Sequence, residues 1–311
     1  MIHQQVIETG KSVPTGAART GQRHYRRRTQ GFGSFVFVLP YLIAFVAFLG
    51  FPVFFGIYIS LNRWNLLTGP SGFVGLQQYV DLFNPNTYAA QQFWTGMLNT
   101  IIFVVISVPL LVIIPLAIAN AIYRAPFKDV FRSIYFFPTV LSATAIGSLW
   151  TWLLATQGGA VNSILHLSIP WLVEQPWSWI SIDLATVWWS LGFNVIIIYA
   201  GLIQIPQSTV EAAAIDGAGT FRTFFYITLP QLRNVLSFVV IISTIASFNL
   251  FAQPYIMTAG GPGSTTTTLS MFIYNQGFNA LNMGSATAMA YMMGIILAII
   301  AFIQYRFTGE K

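Results

Sequence analysis

An all-α integral membrane protein is predicted, on three observations. Only 7% of the 311 residues are charged and 55% are hydrophobic, with a mean hydropathy of +0.68, a composition that belongs to chains whose surfaces meet lipid. Six apolar runs each come near the ~20 residues that cross a hydrocarbon layer as helix. They are Phe35 to Leu61, Ile101 to Ile122, Ile134 to Leu154, Leu184 to Gln204, Val235 to Met257 and Ala286 to Tyr305. The third observation is the segregation of basic residues. Lys11, Arg19, Arg23, Arg26, Arg27, Arg28, Arg124, Lys128, Arg132, Arg222, Arg233, Arg306 and Lys311 fall on one set of connections, and Arg63 alone on the other. An excess of Lys and Arg marks the cytoplasmic side, so both termini are expected there.

In chain order, residues 1 to 30 are polar, without apolar period, and are expected to be a disordered basic tail. The apolar run after them is too long for a signal-peptide core and lacks a small-residue cleavage site. The net charge of +6 owes much to the arginines of this tail, which read as an orientation signal and not as a nucleic-acid patch. Pro40, Gly50 and Pro52 interrupt the first span, as membrane helices allow when neighbours satisfy the freed carbonyls. The expected division is the tail, a first span with its outward loop over 31 to 96, and a five-span core over 97 to 311. Trp64, Trp94, Trp171, Trp177 and Trp179 crowd the outward connections, where indole rings rest at headgroup depth.

Several chemistries are excluded. Cysteine is absent, so there is neither a disulfide framework nor a thiolate metal site. His3, His24 and His166 are too dispersed for a metal centre or a base beside a nucleophile, and no glycine-lysine phosphate loop occurs. The six spans as bounded above contain no Lys, Arg, Asp or Glu, which argues against a proton-coupled carrier and against a membrane-embedded enzyme. The alternative reading is a passive channel or secondary carrier for small polar solutes.

The most structured polar interruption is Ile205 to Leu232. Ser208 and Glu211 have the spacing of a capping box, so a helix is expected from Thr209 through Ala212, Ala213 and Ala214. Gly217 and Gly219 should stop it, glycine taking the left-handed conformation at little cost. Thr220 is expected to cap a second turn carrying Phe221, Phe224 and Phe225, with Pro230 in the first turn of the next helix. The spacing Glu211-Ala212-Ala213, then Gly217, then Ile227-x-Leu229-Pro230 resembles the EAA loop in membrane subunits of binding-protein-dependent ATP-binding-cassette importers. The resemblance implies a coupling helix, with Glu211, Ala212, Ala213, Asp216, Gly217, Phe221 and Arg222 meeting a cytoplasmic ATPase. That partner would bind ATP and Mg; this chain itself would carry no cofactor.

Two further stretches narrow the resemblance. The first outward connection has W-N, F-V-G-L and N-T elements similar to those of carbohydrate-importer permeases, with Gln78 where Asn is usual. The third, T-x-G-G-P at Thr258, then S-T, I-Y and G-F, is similar to the first of two permeases in maltose- and glycerol-phosphate-type importers. The resemblance runs from about Ser34 to Phe307. It implies a type I importer permease (MetI-like) fold in a bacterial or archaeal cell membrane, a heterodimer with a second permease, two ATPase subunits and an extracytoplasmic solute-binding protein. The substrate would be an oligosaccharide or related polyol. Thr139, Ser142, Ser190, Asn194, Asn249 and Gln253 place polar groups inside spans, where they either bridge helices or line a wet cavity. Residues comparable to Thr139, Trp188, Leu191, Gly192, Phe248 and Asn249 line the sugar site of the maltose-type family; of these, Phe248 and Asn249 match in kind. Asn249, eleven residues before Gly260, is expected ~16 Å along a helix from it.

Overall fold

The apolar runs form helices in the computed structural model of the protein, which describes residues 33–308. The expected tail, residues 1 to 30, lies outside the described residues. The chain falls into two units, Met1–Pro52 and Val53–Lys311. In the first, the described part comprises α1 (Gly33–Phe45), a π-helical turn (Val46–Gly50) and the start of α2 (Phe51–Ser60). Every side chain from Phe37 to Leu49 is exposed, as expected of an apolar helix surface that lipid or a second chain would cover.

The second unit continues through α2 into an antiparallel hairpin, β1 (Asn62–Asn65) and β2 (Gly69–Phe73). Asn65 closes its turn by accepting from the Leu67 and Thr68 amides at 2.9 and 3.2 Å. After α3 (Gln77–Asp81) comes α4 (Tyr88–Arg124), whose start is fixed by Thr87: its hydroxyl accepts from the Ala90 amide at 3.2 Å. This cap begins the helix at Tyr88, well before the apolar run at Ile101.

The expected third span is not one helix. α5 (Lys128–Val140) and α6 (Ala143–Leu153) meet at 96°. Leu141 and Ser142 are extended between them, and Ser142 caps α6 by accepting from the Ala145 amide at 3.2 Å. The short α7 (Ala160–Leu165) leads to α8 (Trp177–Ile203). The polar loop after α8 holds α9 (Gln207–Ile215), α10 (Thr220–Thr223), a π-helical turn (Phe224–Thr228) and α11 (Leu229–Gln231). The fifth span is α12 (Arg233–Phe248) followed, after a break, by α13 (Ala252–Met257); α14 (Leu269–Tyr274), a π-helical turn (Asn275–Asn279) and α15 (Met283–Thr308) complete the described chain. Among the described residues, five helical spans are long and apolar enough to cross a membrane, or six if the bent pair is one span.

Four apolar clusters lie among the described residues of the second unit, two of them larger than the rest. One joins Ala119 and Ile122 of α4, Val195, Ile198 and Leu202 of α8, and Leu232 and Val239 at α12. The other joins Leu82, Phe93, Met97, Phe248, Leu269 and Met289. The proline-interrupted α4 is tied to α8 by a side chain. Pro115 cannot donate to the Leu111 carbonyl four residues back, and Asn194 Nδ2 takes that place at 2.8 Å.

The absence of ionisable groups from the spans needs correction. α8 starts at Trp177, not Leu184, so Asp183 lies inside it, 5% exposed, accepting a hydrogen bond from Ser107 of α4. The first turns of α8 interleave Ser178, Ser181 and Asp183 with Trp179, Ile180 and Ile182, so the unbroken apolar run starts only at Leu184, and packing against α4 reveals the earlier turns as part of the buried helix.

Candidate functional site

Two adjoining cavities lie among α4, α5, α8 and the break between α12 and α13. One, of about 200 Å³, is lined by Thr139, Phe193, Asn194, Ile242 and Ser243; the other, of about 270 Å³, by Thr186, Ser247, Asn249, Phe251 and Gln253; both reach Leu111, Trp189, Ser190 and Ala246. The break that opens the second cavity has a local cause: Asn249 turns its own amide onto the Ile245 carbonyl at 2.8 Å and ends α12, while Thr268 Oγ1 donates to the Leu250 carbonyl at 2.8 Å. Helix therefore does not run unbroken from Asn249 to Gly260, and the expected ~16 Å rise between them does not apply.

Two polar atoms in this wall have no partner among the described residues. Gln253 is 3% exposed and Ser247 also 3%, yet Gln253 Nε2 and Ser247 Oγ make no hydrogen bond. A buried donor left unmade costs free energy unless a ligand, water or second chain meets it. The pair comprises one donor, Gln253 Nε2, and one hydroxyl, Ser247 Oγ, that can donate or accept, a chemistry that a neutral polyol matches.

The residues expected to line a path divide. Thr139, Asn194, Asn249 and Gln253 do line the cavities. Thr139 Oγ1 is spent on the Trp189 carbonyl at 3.2 Å, and Asn194 Nδ2 on Leu111 O and on Ser243 Oγ at 3.2 Å, so both also bridge helices. Four expected residues serve elsewhere, and Leu191 lines neither cavity. Ser142 is the exposed cap of α6. Phe248 is 1% exposed inside the apolar cluster with Phe93 and Leu269. Gly192 is a packing residue: a Cβ there would run into the backbone of Tyr135 and Phe136, which is how closely α5 crosses α8. Trp188 packs edge-on against Trp150 at 5.9 Å, whereas its neighbour Trp189 faces the cavities and donates to the Leu141 carbonyl at the bend, 3.1 Å. Ser243 and Ser247, four residues apart on α12, and Thr186 and Ser190, four apart on α8, were a readable signal of two polar helix faces meeting.

The polar loop forms a second candidate surface. α9 starts at Gln207, after Pro206, so Ser208 lies within its first turn and the capping box with Glu211 does not form. Likewise Gly219, not Thr220, occupies the N-cap of α10. The expected stop does form. Gly217 has φ of +78°, the Ala218 amide donates to Ala213 O at 2.9 Å and the Gly217 amide to Ala214 O at 3.1 Å, the two bonds of a Schellman ending. Pro230 stands in the first turn of α11, as expected. Ala213 is 6% exposed, and Val210 packs on the cluster of Ile122, Leu202 and Leu232, which anchors one side of the helix. The rest faces out: Glu211, Ala212, Asp216, Gly217 and Arg222 are exposed, and so are Ile215 at 86%, Phe221 at 80% and Tyr226 at 77%. Apolar side chains bared this far around a rigidly capped helix mark a contact surface.

Comparison with known proteins places this arrangement. Residues 87–309 match the model of the family described as binding-protein-dependent transport system inner membrane component. The chain is 31% identical over 292 residues to a probable ABC transporter permease protein, YurN, of Bacillus subtilis (strain 168), covering 89% of this chain and 97% of that one. It is 30% identical to the lactose transport system permease protein LacF of Rhizobium radiobacter, over 94% and 99% of the two chains. It is also 32% identical to the sulfoquinovosyl glycerol transport system permease protein SmoG of Agrobacterium fabrum (strain C58 / ATCC 33970), over 84% and 85%. In fold it is similar to a chain of a bacterial ABC transporter that imports the acidic polysaccharide alginate, with a TM-score of 0.74 at 21% identity, covering 88% of this chain and 94% of that one. The protein therefore belongs to the binding-protein-dependent ABC transporter permeases, the inner membrane components that carry this fold.

Proposed function

We propose that the chain is the permease subunit of an ATP-driven sugar importer, forming its translocation path with a second, related permease. The observation that carries the sugar reading is the unpartnered pair Ser247 and Gln253 in the wall of a membrane-core cavity that Thr186, Ser190 and Asn249 also line; the names of the lactose and sulfoquinovosyl glycerol relatives support it. Two ATPase subunits supply ATP and Mg chemistry, one of them seated on the exposed side of α9 and α10, and a solute-binding protein delivers the sugar from outside. ATP binding closes the ATPase pair, moves α9, and rocks the spans between inward and outward access. In reconstituted complexes, ATP-dependent uptake is expected for at least one neutral mono-, di- or oligosaccharide and to require the solute-binding protein. Uptake that proceeds at the same rate without ATP would favour the passive reading.

In this orientation both termini and α9 are cytoplasmic, which rests on the basic residues at the ends of α4, α5, α12 and α15. A cysteine at Thr220 in intact cells should be shielded from an impermeant thiol reagent, and one at Thr68, in the hairpin turn, should be labelled. The opposite pattern would invert the topology.

A further inference from the structure

Away from the membrane cavities, a third cavity of about 460 Å³ lies between the hairpin, α3 and the start of α15, within the size range of ligand pockets. Its frame is tightly held. The Leu66 amide donates to Leu281 O at 2.9 Å, Asn65 bridges to Asn282, and Gln78 Nε2 donates to Asn62 O at 2.6 Å. A Cβ at Gly284 would collide with Asn62 O and Gln78, so α15 approaches the hairpin as closely as glycine permits.

Polar side chains in this frame have been left free. Gln276 is 9% exposed and Ser285 8%, both line the cavity, and neither side chain is hydrogen-bonded to any residue. Both side chains line the cavity with their hydrogen-bonding groups uncommitted, so a group that enters can meet them. Arg63 and Asp81 line the same space without pairing, since the ion pair among the described residues is Arg132 with Asp129. Asp81 Oδ1 accepts instead from Gln77 Nε2 at 2.8 Å.

That combination selects a ligand class. A net anion would face the Asp81 carboxylate and a net cation the Arg63 guanidinium, whereas hydroxyl groups both donate and accept and can meet all four side chains. Trp64, held edge-on by Phe55 and Tyr58, adds an apolar ring to the wall. An inserted peptide would need a deep apolar anchor pocket, and the apolar lining besides Trp64 is limited to Val74, Ala89 and Leu281. We propose that this cavity is a second carbohydrate site, separate from the membrane cavities, that takes a neutral mono- or disaccharide on the outward face. Its ligand class and sidedness rest on the importer reading above. Such a site would hold released sugar at the mouth of the path.

The test uses the full transporter complex in nanodiscs without solute-binding protein, in a Gln253→Met background that removes the membrane donor. Binding of maltose, lactose, raffinose, glucuronate and glucosamine is followed by saturation-transfer NMR and calorimetry. At least one neutral sugar should bind better than the two charged ones, and Gln276→Leu should weaken it tenfold or more. Arg63→Gln, at an exposed position, should weaken it about fivefold. Absence of binding by every probe, or binding indifferent to both substitutions, overturns the proposal. So does a fall in the affinity of solute-binding protein, titrated separately onto the same variants, with sugar binding unchanged, which would make the occupant a protein loop. Uptake measured in parallel on the unsubstituted complex separates the readings: active uptake with an empty outer cavity leaves the importer standing without this site.

Discussion

Gly217→Val is expected to lower sugar uptake and transport-stimulated ATP hydrolysis together, by about 5- to 150-fold, while the chain still inserts and assembles. Gly217 sits at φ +78° with nothing within 4 Å of where a Cβ would stand, so the effect comes from the backbone and not from a collision. A β-branched residue in the left-handed region costs about 1–3 kcal/mol, and a loop relieved of that strain loses the Schellman bonds from Ala218 and Gly217 that end α9. The range of 1–3 kcal/mol converts to that fold-change when it is the coupling between two sites that is lost. Gly217→Asn is the control, because asparagine tolerates the left-handed conformation and should retain most activity. A purified Gly217→Val complex with normal ATPase stimulation would refute the coupling role of this helix ending.

Gln253→Met is expected to leave thermal stability unchanged or raised and to weaken uptake of the preferred sugar about 5- to 150-fold. The two halves follow from one observation. Gln253 Nε2 is buried without a partner, so replacing the amide by an apolar side chain of similar size removes an unmet donor and should not destabilise the fold. The sugar hydroxyl that met this donor is then left unpaired, at about 1–3 kcal/mol, or a tenfold loss for every ~1.4 kcal/mol. Asn249→Ala should behave differently. Its Nδ2 already holds the Ile245 carbonyl at the end of α12, so melting temperature and transport of every sugar should fall together. Uptake and melting temperature of both purified variants decide the matter; a lowered melting temperature with unchanged sugar ranking in Gln253→Met would assign that residue to structure.

Much of this protein was legible from residue order because the relevant physics is local. The length of an apolar run determines whether it spans, the distribution of Lys and Arg proposes its direction, and a glycine after an alanine-rich turn stops a helix at Gly217. The membership of Asn249 and Gln253 in a cavity wall was also readable, since amides inside apolar helices demand partners. What only the tertiary structure decided is which way each helix faces. Consecutive residues differ by about 100° around an α-helix, so spacing alone could not tell Trp188, packed on Trp150, from Trp189, which faces the cavity. The same rotation buries Phe248 in an apolar cluster and presses Gly192 against the backbone of Tyr135. Asp183 was hidden for a related reason: its place inside the bundle depends on Ser107 of a distant helix, and no local pattern in its own segment records that partner. The bend between α5 and α6 likewise stands because Trp189 satisfies the freed Leu141 carbonyl, a contact made across 48 residues of chain.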